Sequence, residues 1–177
     1  MKFLVTLNEH KMLLAPNGQR SNLTPEQYKF VRTPEFKEWF GDWESNPKNS
    51  SKVIDENGEP LVCYHGTENN FNIFKDNHKI GWLGKGIYFT PNKKIAKGYG
   101  KIVLRSFLNI RKPFKVIGED PNSVITEVKK KYNSPNEDFG SDVSITLKEK
   151  KHDGVFFKHW DQGNMFSCFY PNQIKLL

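Results

Sequence analysis

The pattern of polar and apolar residues in the first quarter of the chain predicts two short helices. Thr24 precedes Pro25, and Gln27 follows three positions after Thr24. A Thr cap, a Pro in the first turn and an amide that can reach back to the cap are typical of a helix start. A second Thr-Pro pair begins at Thr33. Residues 11–23 are polar and rich in turn-forming residues, so we expect a loop before the first helix.

An aromatic stripe follows the second helix start. Phe36, Trp39, Phe40 and Trp43 are spaced at i, i+3, i+4 and i+7, which places them on one face of a helix. Such a face either binds a partner protein or packs on the core of its own chain, and packing is the commoner arrangement. The polar residues 45–52 predict a linker after the stripe.

Beyond this linker the pattern changes to short apolar runs. Val53-Ile54 and Leu61–Tyr64 flank an Asn57-Gly58 turn, which predicts a β-hairpin. Residues 133–142 predict a loop, and the charged residues 148–151 predict a solvated face. Further strands are predicted at Gly86–Phe89, Ile102–Ile110, Gly154–Phe157 and Met165–Tyr170, and further helices at Lys93–Tyr99 and Ser123–Tyr132. Many short strands and few helices favour an α+β fold with a compact, mostly antiparallel sheet core.

Composition supports one globular domain with a small extension. The chain has 177 residues, of which 36% are hydrophobic and 14% aromatic, so disorder is not expected over most of its length. The pattern divides it into an N-terminal extension at 1–50, with short aromatic-faced helices, and a main domain at 51–177. No apolar run approaches the roughly 20 residues that a membrane span needs, so we expect a soluble, cytoplasmic protein without a membrane partner.

The two cysteines lie in apolar, strand-like runs. This placement predicts that Cys63 and Cys168 are buried free thiols. No spacing of Cys and His resembles a zinc site, and no metal is expected. The formal net charge of +7 favours an anionic partner, either a nucleic acid or a phosphate-bearing ligand.

Three short segments carry candidate chemistry: residues 64–67, residues 84–89 with Tyr99 after them, and the C-terminal residues 165–174. His65-Gly66-Thr67 ends a predicted strand and combines an imidazole, a backbone that a ligand can approach closely, and a hydroxyl. Residues 84–89 place Tyr88 beside two glycines, and Tyr99 follows ten residues after Phe89. Two tyrosines brought together can hold a flat heteroaromatic ring between them. A flat ring, an amide held by backbone groups and a ribose held by a histidine describe a nicotinamide nucleoside.

The order of these segments resembles a known family. Gly84-Lys85-Gly86-Ile87-Tyr88-Phe89, with Tyr99 after it and His65-Gly66-Thr67 before it, resembles the signature of the His-Tyr-Glu ADP-ribosyltransferases, the branch of diphtheria toxin and the poly(ADP-ribose) polymerases. The whole chain is more similar to the ADP-ribosyltransferase domains of phage polyvalent and mobile-element proteins. Those domains also carry a leader like residues 31–44, a strand like residues 107–110 and an ending like residues 171–175.

The resemblance covers residues 24–177 and implies a fold and a set of roles. The fold would be the compact α+β fold of these transferases, with a split, mostly antiparallel β-sheet core, NAD bound by residues 51–177, and a short helical N-terminal extension. His65 would bind the ribose on the adenosine side of NAD, and Gly66 would hold the nicotinamide carboxamide through its backbone. Thr67 would support that segment, and Tyr88 and Tyr99 would stack on the nicotinamide.

Two positions depart from the pattern of the polymerases. Ala96 occupies the place of a serine that bonds the carboxamide in those enzymes. Phe89, beside Tyr88, keeps to the pattern and belongs to the same cofactor-binding segment. At the start of the last motif strand, Met165 occupies the place of the glutamate that stabilises the transition state. Losing a group that stabilises developing charge typically lowers the rate about 10²- to 10³-fold.

The missing glutamate leaves three interpretations open. The chain is a transferase that works without it, or the acceptor or a neighbour such as Gln162 or Asp161 supplies the group, or the domain binds NAD-like ligands without turnover. A chain-elongating polymerase is disfavoured.

The favoured prediction is an NAD-dependent mono-ADP-ribosyltransferase, with His65, Tyr88 and Met165 at the catalytic positions and Gln162 as a substitute. Its acceptor would be a nucleic acid or a protein. The protein would act as a phage-related toxin or a defence or counter-defence effector, with an antitoxin or other inhibitor protein as a further partner. A catalytically silent NAD or ADP-ribose reader is the alternative, and a basic nucleic-acid-binding module ranks last.

Overall fold

The fold comes from a computed structural model of the full chain. It describes residues 12–75, 80–81, 83–120, 122–133, 142–159 and 163–177. The helices are α1 (Pro25–Val31), α2 (Pro34–Phe40), α3 (Lys93–Lys97), α4 (Asn122–Tyr132) and α5 (Val143–Glu149), with short 3₁₀ helices at Pro47–Asn49 and Pro171–Gln173. The strands are β1 (Cys63–Thr67), β2 (Ile80–Gly81), β3 (Gly84–Lys85), β4 (Ile87–Phe89), β5 (Ile102–Leu108), β6 (Pro113–Gly118), β7 (Gly154–His159), β8 (Gly163–Cys168) and β9 (Ile174–Leu176).

The first two helices begin where the sequence predicts. The Thr24 hydroxyl accepts the backbone N–H of Gln27 at 3.3 Å, and the Gln27 side chain accepts the backbone N–H of Thr24 at 3.0 Å. The Thr33 hydroxyl accepts the backbone N–H of Phe36 in the same way. These caps satisfy backbone donors that the first turn of a helix leaves unpaired.

The sheet core is split and mostly antiparallel, as predicted. One sheet has the strand order β1-β5-β9, a second has the order β4-β8-β7-β6, and β2 and β3 form a separate pair. All described pairings between strands are antiparallel except β6 with β7. A parallel pair needs a long crossover, and α4 and α5 lie in the chain between these two strands.

The predicted hairpin is present only around its turn. The Leu61 N–H donates to the Val53 carbonyl at 3.1 Å, and Gly58 takes the positive φ of +82° that suits a glycine in the turn. The strand that follows, β1, pairs instead with β5. The turn determines only the pairing of the residues next to it. The position of β1 is determined by the burial of Cys63 against the second sheet.

Three apolar clusters hold the fold together. The first lies between α4, α5 and the β6–β7 side of the larger sheet, and the second lies between the two sheets and contains Cys63 and Cys168. Both cysteines are buried free thiols, which confirms the prediction. Burial raises the pKa of both thiols well above the usual range.

The third cluster joins the N-terminal helices to the main domain. Phe36, Phe40 and Trp43 pack together with Phe107 of β5, with the Phe36 and Phe107 rings 5.2 Å apart. The aromatic stripe therefore packs on the chain's own core. A buried ion pair locks the same region, because the Arg32 guanidinium donates at 2.8 Å to the Glu59 carboxylate, which is fully buried. Within the described residues, no helix is long and apolar enough to cross a membrane.

Candidate functional site

A cavity of about 310 Å³ opens where the two sheets meet. The sheets are joined there by a pair of backbone bonds between Tyr64 and Thr90, at 2.8 and 3.0 Å. Helix α3 covers one side of the cavity, and β8 contributes one residue to it. The lining residues are Tyr64, His65, Gly66, Gly81, Leu83, Tyr88, Phe89, Thr90, Ile95, Ala96, Tyr99 and Met165. Seven residues predicted from the sequence are thus brought together: His65, Gly66, Tyr88, Phe89, Ala96, Tyr99 and Met165.

Two predicted residues do not appear in this lining. The Thr67 hydroxyl is engaged in the turn after β1, where it accepts the N–H of Asn69 and donates to the Asn69 carbonyl, both at 3.2 Å. Gln162, together with Asp161, lies outside the described residues.

Gly66 marks the closest approach between β1 and α3. A Cβ atom built there would lie 1.8 Å from the Ala96 carbonyl oxygen and 3.0 Å from Cβ of Tyr99. Gly100 has the same role at the other side of this contact, since a Cβ there would lie 2.3 Å from the Thr67 carbonyl carbon. The two glycines allow α3 to lie directly on the strand end that carries the predicted nicotinamide contact.

His65 connects the two sheets beneath the cavity. Its Nδ1 lies 2.8 Å from the Tyr88 carbonyl oxygen. A carbonyl can only accept, so the proton sits on Nδ1, and in the neutral ring Nε2 is an acceptor. The ring packs against Phe74 and Phe89, with centroids 5.2 and 5.4 Å away. The imidazole is therefore held in one orientation by β4 and by two phenyl rings.

Tyr88 is held from its hydroxyl end. The phenol accepts the Leu83 N–H at 2.8 Å and donates to the Gly84 carbonyl. Burial raises the pKa of Tyr88 above its usual value, so the phenol stays protonated at neutral pH. With the hydroxyl bound to the backbone, the ring is a fixed apolar wall of the cavity.

Tyr99 differs from Tyr88 in its exposure. It stands at the rim on the segment after α3, and 63% of its surface is accessible. The site thus has one inner tyrosine, half buried and anchored, and one outer tyrosine at the opening.

Met165 contributes a thioether at the position predicted from the last motif strand. It lies on β8 opposite Phe157 of β7 and lines the cavity beside Tyr88. None of the described lining residues carries a carboxylate. The walls are aromatic and aliphatic, with backbone groups at Gly66 and an imidazole at His65.

The sequence prediction missed the residue that anchors the β3 segment. Oδ1 of Asp142, the cap of α5, accepts the backbone N–H of Lys85 at 2.7 Å and the Ser144 hydroxyl at 2.6 Å. This contact holds the stretch whose carbonyl and N–H bind the Tyr88 hydroxyl. An Asp two residues before a buried Ser was the available signal, since Asp is a favoured helix cap. The sequence assigned no role to the other lining residues, which are Tyr64, Gly81, Leu83, Thr90 and Ile95.

The cavity fits a flat, weakly polar ring. Its volume is at the lower end of the range for ligand pockets, which suits a portion of a dinucleotide. Gly66 offers bare backbone to an amide, and the two tyrosines offer ring faces. Among the described residues, no cluster of three or more His, Cys, Asp or Glu side chains could hold a metal ion.

Comparison with known proteins identifies the family. Residues 55–177 match the family described as ADP-ribosyltransferase in polyvalent proteins. No curated protein matches the chain. Among solved structures, the chain is similar to a protein described as an anti-CRISPR protein, at 12% identity over 66% of this chain and 95% of the other, with a TM-score of 0.40. That structural likeness is too distant to carry an argument. The family match spans more than half of the residues, and the chain belongs to the ADP-ribosyltransferases of polyvalent proteins.

Proposed function

We propose that this protein is an NAD-dependent mono-ADP-ribosyltransferase whose acceptor is a nucleic acid or a protein. One observation carries the proposal. Residues from three separate segments, which the sequence suggested for nicotinamide and ribose binding, line a single cavity. Membership of a transferase family supports the same conclusion.

Each residue has a role in this proposal. The anchored ring of Tyr88 and the outer ring of Tyr99 hold the nicotinamide between them, and the backbone of Gly66 binds its carboxamide. His65, fixed by the Tyr88 carbonyl, binds a ribose hydroxyl through Nε2. Phe89 backs the imidazole, and Ala96 closes the side of the cavity against Gly66.

NAD is consumed in the reaction and is therefore a substrate. The bond between the ribose C1″ and the nicotinamide nitrogen breaks, and the bond electrons leave with nicotinamide as a neutral ring. A nitrogen or oxygen nucleophile of the acceptor bonds to C1″ from the opposite face and releases its proton to water. Met165 cannot stabilise the developing positive charge, so the acceptor or a neighbour such as Gln162 supplies that stabilisation.

The family and the charge support a proposal for the biological role. A transferase of this kind would act as a phage-related toxin or as a defence or counter-defence effector inside the cell. An inhibitor protein would then be a natural partner, because uncontrolled transfer would harm the producing cell.

A silent NAD or ADP-ribose reader is the second candidate. It is favoured by Met165 and by the lack of a carboxylate among the described lining residues. A reader would bind the dinucleotide in the same cavity and release no nicotinamide.

The deciding experiment incubates the purified chain with isotope-labelled NAD and follows free nicotinamide by chromatography. Cell lysate, RNA and single-stranded DNA are added in separate reactions. A transferase releases nicotinamide and labels one of these pools. Binding without release favours the reader, and neither binding nor release refutes an NAD-dependent function. His65→Ala and Tyr99→Ala should both weaken NAD binding in a titration.

A further inference from the structure

The positive charge of the chain is concentrated in one segment. Residues 77–118 contain ten lysines and arginines and no aspartate or glutamate. Elsewhere, the remaining 17 of the 27 basic residues are outnumbered by the 20 acidic ones. The excess of +7 is therefore a property of the segment that contributes β4, α3 and β5 around the cavity, and not of the surface as a whole.

Five of these cations are exposed and lie on α3, just after it, and on β5, which α3 contacts; they are here called the α3 basic ridge. It consists of Lys93, Lys94, Lys97, Lys101 and Arg105, all of them exposed. In the described part of the chain, none of the five forms an ion pair. The exposed Glu68, which follows the strand end that packs on Gly100, is an acidic residue near the ridge. The ridge thus keeps most of its charge for an external anion.

The ridge borders the opening of the cavity. Helix α3 turns Ile95 and Ala96 toward the cavity, while its three lysines face solvent. Arg105 lies directly across the β1–β5 pair from Tyr64, which also lines the cavity. An anion bound along the ridge would pass beside the place where the nicotinamide ribose is expected.

The size and chemistry of the ridge fit a polynucleotide. NAD has two phosphate groups, which cannot use five cations spread over the outside of a helix and an adjoining strand. A protein partner is the weaker match, because interfaces between proteins are depleted in lysine. Repeated phosphates suit a row of uncompensated lysines.

The acceptor strand must also be accessible base by base. A stacked duplex hides the base atoms that could react, and enzymes that modify bases act on single strands or flip the base out. Deepening the proposed function, on which this inference rests, we propose that the acceptor is a single-stranded nucleic acid. Its backbone crosses the α3 basic ridge, and a base or sugar N–H or O–H group replaces nicotinamide at C1″ and gives its proton to water.

Salt dependence tests the ridge directly. A fluorescent single-stranded oligonucleotide is titrated with the protein from 50 to 200 mM salt, once as DNA and once as RNA. With about 0.7 counterions released per contact, five contacts give a slope near −3.5 for log affinity against log salt, or about a 100-fold loss over this range. A slope near zero would overturn the proposal.

A matched pair of variants locates the contact. The variant K93Q/K94Q/K97Q/K101Q removes four ridge charges and keeps good helix formers. The control K29Q/K48Q/K112Q/K130Q removes four exposed charges from elements that do not line the cavity. We expect the first to flatten the salt slope by about 3 and the second to leave it nearly unchanged. Equal effects of the two variants would refute the ridge as the binding surface.

Transfer from labelled NAD separates this inference from the function beneath it. Without an acceptor, water can bond to C1″ in its place, and the ridge variant should release nicotinamide by this slow hydrolysis at the same rate as the wild type. Its transfer of label to the oligonucleotide should be at least tenfold lower. Label that enters proteins instead of the oligonucleotide overturns the nucleic-acid acceptor and leaves the transferase intact. Absence of nicotinamide release from the wild type refutes the transferase, and the acceptor assignment fails with it.

Discussion

At Gly66, the absence of a side chain lets α3 lie against β1. In Gly66→Ala the new methyl group would meet the Ala96 carbonyl oxygen at 1.8 Å, so the helix must move away from the strand. Overpacking of this kind typically costs about 1–3 kcal/mol, and a clash with backbone falls at the upper end. We expect a matching loss in the free energy of unfolding, measured with denaturant, together with loss of NAD binding.

Gly98→Ala is the matched control for that change. Gly98 ends α3, the helix that packs on Gly66, and has helical backbone angles, with φ of −70°. A Cβ atom built there would have the Ile95 carbonyl oxygen as its nearest neighbour, at 3.2 Å. This substitution should change stability far less. If both substitutions are tolerated equally, the close contact between β1 and α3 does not exist in solution.

Met165 can be converted into the residue that the family pattern expects. Met165→Glu would put a carboxylate into the cavity wall beside Tyr88, where it can stabilise positive charge on the ribose. We expect nicotinamide release to rise by about 10²- to 10³-fold if the chain is a competent but slow transferase. Met165→Gln has the same size without the charge and should stay near the wild-type rate.

The comparison between these two variants tests the assignment of β8. A rate for Met165→Glu that is equal to or below that of Met165→Gln would mean that Met165 does not occupy the glutamate position. Because Glu and Gln have nearly the same size and shape, a difference in rate between the two variants reports on the charge of the side chain.

The residues of the site were predictable from the sequence where a motif names them. His65, Gly66 and Tyr88 belong to strings whose order is distinctive, and they line the cavity. Tyr64 and Thr90 were not predictable in this way, because their place at the opening depends on a backbone bond between the two sheets. No local pattern in the sequence encodes that contact.

Among the elements, the ones with local signals were predictable and those defined by partners were not. The starts of α1 and α2 were predictable because each depends on a Thr cap and a Pro directly after it. Strand β6 begins with a Pro, ends with a Gly and carries a single charged residue, Lys115, so its pattern resembles that of a connection. Helix α5 was not predicted, because its three buried residues all come before the charged residues 148–151, which indicated only a solvated face.

The cap of α5 offers a prediction at the level of elements. Asp142→Ala removes the acceptor for the Lys85 N–H and for the N–H and hydroxyl of Ser144. We expect a loss of about 1–2 kcal/mol in the free energy of unfolding, since a helix cap alone contributes about 1 kcal/mol. The released β3 segment also loosens Tyr88, so KM for NAD should rise.

Asp142→Asn separates positioning from simple damage. Its amide oxygen can accept the same bonds, and Asn caps helices as well as Asp does. The variant should recover both stability and KM. If it behaves like the alanine variant, the negative charge, rather than the hydrogen bonds, is what the site requires.

In the whole molecule, the N-terminal helices and the family domain share one core. The family match begins at residue 55. Phe107 on β5, which lies within the match, is buried against residues of α1 and α2, which lie before the match begins. None of the described residues 12–50 lines the cavity. We propose that the extension at 1–50 completes the core of the domain at 51–177 and does not cap the site.

The buried thiols make a prediction for the stability of the whole chain. Burial raises the pKa of both Cys63 and Cys168, and the nearby Asp153 carboxylate adds to the effect at Cys168. Above about pH 8.5 the unfolded chain releases these protons while the folded chain keeps them. Each thiol then lowers the free energy of unfolding by about 1.4 kcal/mol per pH unit as pH rises toward the folded pKa.

Urea unfolding at pH 7, 8.5 and 10 measures this effect. Stability should be nearly level between the first two values as far as the thiols are concerned, and should fall steeply by the third. Cys63→Ala should remove about half of the alkaline slope. A slope that is unchanged in this variant would show that Cys63 is ionised in the folded chain.

The pairing of β4 with β8 also has a consequence in time. Tyr88 lies opposite Ser167, so the inner wall of the cavity joins residues that a ribosome adds almost half a chain apart. At about 5–20 residues per second, several seconds separate the two strands during synthesis. Until β8 has been made, the nascent chain lacks the Met165 side of the cavity. The β4 side of the cavity thus waits several seconds for its partner strand each time the chain is made.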